Sequence, residues 1–272
     1  MQDGAANPFG AGSNSGTEGG NIRISPSGGT VTNCIITGAR SSNNWGSASG
    51  VFIESALGLV THCVITNNTA AHVYNGQTSK VAGVHMTDGR LENCLIADNR
   101  LVYNANSTPP AAGNNVAGLG VYGGTVRNCT VVDNTGCKYG GIYMAGGTVM
   151  YTIVAGNRSL DEEAGLTAAG FYVGGWASAG LTNNFVNCVS DAADAWNPGC
   201  RVGTPEVIFR GAARSDWQLG GNSPAIDIGP KVEAWEVEDW GYDLAGKPRV
   251  AGGRVDAGCW EGKVRATMVI VK

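Results

Sequence analysis

The sequence predicts an all-β solenoid, a right-handed parallel β-helix of about six coils closed by a different C-terminal segment. Three observations carry that prediction. Glycine supplies 43 of 272 residues while only 15% are charged, a composition unlike that of ordinary globular enzymes. The hydrophobic residues, 43% of the chain, fall in short Val, Ile and Leu runs between Gly, Asn, Thr and Ser clusters, without the 3.6-residue spacing of helices. One pattern also recurs five times: Thr30-Val-Thr-Asn-Cys34, Leu59-Val-Thr-His-Cys63, Arg90-Leu-Glu-Asn-Cys94, Thr125-Val-Arg-Asn-Cys129 and Thr148-Val-Met-Tyr-Thr152.

Each copy follows a second apolar strand, led by glycine in most coils: Ile22-Arg-Ile24, Val51-Phe-Ile53, Val84-His-Met86, Leu119-Gly-Val121, Ile142-Tyr-Met144 and, less regularly, Phe171-Tyr-Val173. From this strand to the cysteine position the distance is ten or twelve residues, so insertions fall after Asn68, Asn99, Asn134 and Asn157. That edge of the coil carries the variable loops, where solenoids usually place a binding surface. Alternation along a strand buries one side chain and exposes the next. It points Val51, Ile53, Val84, Met86, Leu119, Val121, Ile142 and Met144 inward, with Ile36, Ile65, Ile96, Val131 and the cysteines beside them. The four asparagines stack at a turn, where their amides can satisfy backbone groups and one another.

The column Cys34, Cys63, Cys94 and Cys129 reads as a ladder of reduced, buried thiols acting as small hydrophobes. Neither a C-x-x-C pair nor histidines at zinc spacing accompany it, and no metal is expected there. Cys188 and Cys200 bracket an irregular stretch, where a disulfide and two free thiols both remain open.

The pattern decays near Leu181, which sets a boundary between coils over residues 1–200 and a capping segment of the same domain over residues 201–272. The segment contains Ser223-Pro-Ala-Ile-Asp-Ile-Gly229, Asp243-Leu-Ala-Gly-Lys-Pro-Arg249 and Val255-Asp-Ala-Gly-Cys-Trp-Glu261. These motifs resemble the C-terminal segment of bacterial right-handed parallel β-helix repeat proteins in the pectate-lyase-like superfamily, with Cys259 where the family pattern has Ala. Together with the repeats, the resemblance spans nearly the whole chain. It implies the fold, and a superfamily of lyases, hydrolases, adhesins and non-catalytic carbohydrate-binding modules. Asp227, Asp243, Arg249, Asp256 and Glu261 read as turn-fixing and mutually paired residues of the cap.

Eighteen basic against 22 acidic residues give a net charge of −4, and no Lys/Arg cluster occurs along the chain. Nucleic acid is therefore not an expected partner, and a neutral glycan fits better than a polyanion. No apolar stretch has the length of a membrane span, and Met1 to Gly20 is polar and unlike a signal peptide. The expectation is a monomeric piece of a longer secreted protein, acting outside the cell or at its surface and fused there to a catalytic domain.

The expected activity is non-catalytic recognition of a plant cell-wall polysaccharide, xylan or another neutral β-glycan. Outward positions of the first strand are Arg23, Phe52, His85, Gly120, Tyr143 and Tyr172, spaced about 4.8 Å apart like successive sugars. Trp45, Tyr74, Tyr103 and Tyr139 in the variable loops, with Tyr122 and Trp176 after the strands, would wall a shallow aromatic groove. The competing view is that the same rings stack on each other and pin the loops.

An enzyme would instead use Asp98 and Asp133, equivalent residues of neighbouring coils at a retaining-glycosidase separation, although Asp is also a routine turn former there. The resemblance implies a lyase would need an Arg or Lys base and often calcium. Arg23 alone stands in the exposed column, and Glu92 beside Arg127 reads as an inter-coil ion pair. Asp161-Glu-Glu163 is a solvated loop run where calcium is the only metal considered, and no cofactor is expected. A surface adhesin or spacer is the third class the coil would serve.

Overall fold

The computed structural model describes residues 21–41, 48–72, 80–103, 115–137, 139–160, 171–173, 184–191, 200–233, 241–250 and 252–262. They form a parallel β-helix whose coils pass through four stacked sheets in turn. The first sheet holds Ile22–Ile24, Val51–Ile53, Val84–Met86, Leu119–Val121, Ile142–Met144 and Phe171–Val173 in parallel register. The second runs from Gly29–Thr32 to Phe185–Val186, and the third from Ile35–Thr37 to Arg201–Val202. The fourth stacks Arg40–Ser41, Thr69–His72, Arg100–Tyr103, Thr135–Gly136 and Arg158–Ser159.

Two corners turn each coil through left-handed backbone. Asn33, His62, Asn93, Asn128, Tyr151 and Asn187, with φ between 48° and 53°, lead from the second sheet to the third. Gly38, Asn67, Asp98, Asp133 and Gly156, with φ between 53° and 77°, lead from the third to the fourth. That region is costly for most L-residues and tolerated by Gly, Asn and Asp, which explains the residue types at all but His62 and Tyr151. Those two make contacts of another kind, described below. Glycine ahead of the first sheet answers to crowding: a Cβ on Gly118 would stand 2.6 Å from the Gly141 carbonyl oxygen of the next coil.

The core follows the expected alternation. Val51, Ile53, Val84, Met86, Leu119, Val121, Ile142 and Met144 pack against Ile36, Ile65, Ile96, Val131, Cys63, Cys94 and Cys129, all buried. Every cysteine among the described residues is a free thiol. Cys188 and Cys200 do not staple a loop: Val189 pairs with Arg201, so the two cysteines are successive rungs of the same column. Between Cys129 and Cys188 the rung is Thr152, whose hydroxyl donates to the Met150 carbonyl at 3.0 Å.

The asparagine ladder is continuous. The Oδ1 of Asn99, Asn134 and Asn157 each accepts from both the backbone N–H and the side-chain amide of the asparagine one coil earlier, at 2.9 to 3.1 Å. Glu92 lies between Arg127, at 3.3 Å, and Arg90, at 3.5 Å, as the inter-coil ion pair expected on the second sheet.

Where a cap over one end is expected, the C-terminal segment runs back along the flank. The short helix Pro205–Ile208 and the antiparallel pair Phe209–Gly211 and Asp216–Leu219 lead into it. Ile208, Phe209, Trp217, Ala225, Ile228, Ala257 and Cys259 cover the outward side chains Leu95, Ala97, Val132, Ile153, Ala155 and Val189 of the third sheet. Corner residues hold it in place: Asn128 donates to the Asp256 carbonyl at 3.1 Å, Gly258 N–H to the Tyr151 carbonyl at 2.9 Å, and His62 Nε2 meets the Tyr242 carbonyl at 2.8 Å. The charged residues of the segment fix its turns, as read from sequence. Asp243 accepts from the N–H of Ala245, Lys247 and Glu261, and Asp256 from those of Asp227 and Gly262.

Lys80 begins the coil edge beside the first sheet and is buried, its Nζ donating to the Ala71 carbonyl at 3.3 Å. Burial lowers its pKa from the ordinary 10.5 to about 8. Between these values the unfolded chain holds the proton that the folded chain has released, so this residue adds stability as pH rises. Replacing Lys80 by Met is expected to stabilise the protein at pH 7, and the advantage should shrink by on the order of 2–3 kcal/mol toward alkaline pH. Urea unfolding of both proteins across that range measures it; a pH-independent difference would contradict the assignment.

Candidate functional site

The aromatic column of the first sheet is present but covered. Phe52 and His85 are 6% exposed and Tyr143 is fully buried. Residues three positions ahead of each strand, Ala48, Val81, Val116 and Tyr139, form a parallel series of bridges of their own. Val81, Val116 and Tyr139 pack in one cluster with Tyr143. The gap expected at Gly120 is filled by Tyr122, whose ring stacks on His85 at 4.7 Å and approaches Tyr143 at 5.7 Å. Phe52 meets His85 edge-on at 5.0 Å, and Arg23 sits over Phe52 at 5.9 Å while pairing with Glu54. The expected open groove is therefore a self-stacked aromatic seam at Phe52, His85, Tyr122 and Tyr143, because short flanking segments fold over a sheet face that alternation alone leaves outward. Trp45, Tyr74, Trp176 and Asp161 to Glu163 lie outside the described residues, as do the side chains of Tyr103 and Tyr172.

An open surface lies instead at the corner between the third and fourth sheets. Asn67, Asp98, Arg100, Asp133, Thr135 and Arg158 line a depression of 400 Å³. A second depression of 490 Å³ shares Asp133 and Arg158 and continues past Gly156 to Pro205, Glu206 and Trp217 of the flanking segment. Together they make a polar groove running along the solenoid axis. Its geometry comes from the corner: the left-handed residue points to solvent, the next asparagine turns into the ladder, and the residue after it projects from the fourth sheet.

Asp98 and Asp133 stand on successive coils, because Ala97 pairs with Val132 immediately before them, one strand spacing of about 4.8 Å. Partial burial raises the Asp98 carboxyl above its ordinary range, and the neighbouring Asp133 charge adds to the rise. Asp191, which accepts from the Gly156 N–H at 2.6 Å, is likewise raised, chiefly by burial. Among the described residues no group of three or more His, Cys, Asp or Glu is arranged to hold a metal ion. The groove thus offers carboxylate and amide acceptors, guanidinium donors and the mostly buried Trp217 at its end.

Fold and groove together define the chain as a parallel β-helix with an axial polar surface. No family model matches it, and no curated protein or solved structure is significantly similar to it.

Proposed function

We propose that this chain binds an extended polysaccharide laid parallel to the solenoid axis in the groove from Asn67 to Trp217, acting outside the cell as a non-catalytic module of a larger protein. The observation that supports this reading most is the continuity of the two depressions through Asp133 and Arg158. Polar side chains then recur at the coil spacing, which is similar to the length of one sugar. The resemblance of the C-terminal motifs to pectate-lyase-like proteins agrees with a carbohydrate ligand, for which a cell-wall glycan is the class expected from sequence. Asp98 and Asp133 serve in this reading as corner residues and hydroxyl acceptors, since both occupy backbone that Asn adopts equally well.

Gel retardation on soluble polysaccharides, run beside reducing-end and unsaturated-product assays, tests the proposal. Retardation without products is expected. Asp98→Asn and Asp133→Asn should keep it, whereas Thr135→Trp, which fills the smaller depression from a half-exposed ladder position, should abolish it. Unchanged retardation by Thr135→Trp would move the ligand elsewhere. A second reading, a small glycoside hydrolase, is favoured by the raised Asp98 carboxyl beside Asp133. Products lost in Asp98→Asn, with the fold intact by circular dichroism, would establish it in place of the module.

A further inference from the structure

The fourth sheet carries a second periodicity. Arg40 pairs with Thr69, Thr69 with Arg100, Arg100 with Thr135 and Thr135 with Arg158, so one ladder position alternates Arg and Thr over five coils. All three arginines are exposed. Among the described residues none of them forms an ion pair, whereas Arg23, Arg90, Arg127, Arg210 and Arg249 are each paired with a Glu or Asp. Guanidinium groups therefore recur every second coil, about 9.6 Å apart along the fourth sheet, and Arg100 and Arg158 line the groove itself.

We infer that the glycan bound in this groove carries one anionic group, carboxylate or sulfate, on every second sugar. The inference rests on the groove reading above and deepens it. Corner residues Asn67, Asp98 and Asp133 follow one another on three successive coils, flanked by Gly38 and Gly156, and accept hydrogen bonds from the hydroxyls that every sugar has. Arg40, Arg100 and Arg158 recur at every second coil and donate to an anion with charge-assisted, fork-shaped geometry. A polymer charged on every sugar is disfavoured: the two intervening coils present Thr69 and Thr135 and no cation, and beside Thr135 an anion would meet the Asp133 carboxylate unopposed, whereas at the Arg100 coil the guanidinium offsets Asp98. A neutral polymer would leave the guanidinium row unused.

Calorimetric titration with four oligosaccharides of equal length decides the matter. Hyaluronan carries a carboxylate on alternate sugars, a galactan sulfated on alternate sugars carries the other anion, oligogalacturonate is charged on every sugar, and xylo-oligosaccharide on none. At least one alternating probe should bind roughly tenfold more tightly than both of the last two, and the better alternating probe identifies the anion. Its affinity should fall with added salt, and Arg100→Gln should lower it by about tenfold and flatten that salt dependence while circular dichroism stays unchanged. Equal binding of xylo-oligosaccharide, with Arg100→Gln silent, would overturn the inference and leave the groove reading standing. Oligogalacturonate binding as tightly as the alternating probes would overturn the alternation. Binding by none of the four would remove the groove reading and the inference together.

Discussion

Asn99→Ala is expected to unfold this protein more readily than any truncation of an ordinary surface residue, by about 3–5 kcal/mol. The side chain is fully buried and stands at the centre of a ladder. Its Oδ1 accepts from the Asn68 backbone N–H at 3.1 Å and from the Asn68 amide at 3.0 Å, while its Nδ2 donates to the Ile65 carbonyl at 3.0 Å and to Asn134 Oδ1 at 2.9 Å. Truncation leaves an N–H, a carbonyl and half of each neighbouring amide without partners in a dry interior, at roughly 1–3 kcal/mol per orphaned group before relaxation. Asn99→Asp keeps the acceptor, loses both donations and sets a carboxylate beside Asn134 Oδ1, so it should be at least as damaging. Urea denaturation of both variants provides the measurement. A loss below about 1 kcal/mol in Asn99→Ala would mean that water replaces the amide, and the ladder would not be the dry column described.

The second large effect is expected at Arg249→Met, a loss of about 3–5 kcal/mol at neutral pH. Arg249 is 1% exposed and donates to the Gly258 carbonyl, with Glu261 at 3.6 Å and Asp243 and Asp256 buried around it. Burial opposes its charge and the surrounding carboxylates favour it. Without the guanidinium, the buried Asp256 carboxyl, already raised by burial, loses the positive charge that opposes that rise and moves further above its ordinary range. The folded variant then binds protons more tightly than its unfolded chain, so its stability falls as pH rises and its deficit narrows in acid. Replacing Glu261 by Gln in the same chain should recover part of the loss, since removing both partners of a buried pair costs less than removing one. Denaturation of the single and double variants at pH 7 and pH 5 tests this. A deficit independent of pH, with no recovery in the double variant, would assign Arg249 to packing alone.

What could be read from sequence depended on how local the physics was. The core was legible because period-two alternation and the cysteine repeat are properties of neighbouring residues, and the asparagine column because its members keep a fixed offset of five from the cysteines. Concealment of the aromatic seam was harder to see. Alternation points Phe52, His85 and Tyr143 away from the core, but whether anything covers them depends on Val81, Val116 and Tyr139, three residues ahead of each strand. That offset recurs and was a usable signal. The guanidinium row had a signal of the same kind, since Arg40, Thr69, Arg100, Thr135 and Arg158 each stand six residues after the cysteine position; but Arg40, Arg100 and Arg158 are some sixty residues apart along the chain and form no cluster until the coils stack. For the same reason, an absence of basic clusters in sequence speaks to the linear chain and says nothing of stripes that stacking creates. Cys188 and Cys200 looked like the ends of a loop because the coil between them is short, when they are consecutive rungs.

The flank-bound C-terminal segment also fixes how many coils lie between its points of attachment. Repeat proteins commonly grow or shrink by whole units, because each unit meets only its neighbours. Here one non-repetitive segment meets His62 of the second coil, Asn128 of the fourth and Tyr151 of the fifth at the same time. Duplicating or deleting a coil between those points would displace one anchor from another by about 4.8 Å, and the segment could not grip both. It acts as a measuring rod, permitting drift in loop sequence while holding the number of turns from the second coil to the fifth constant. It also couples turns that do not touch, so they should melt as one unit instead of fraying from an end.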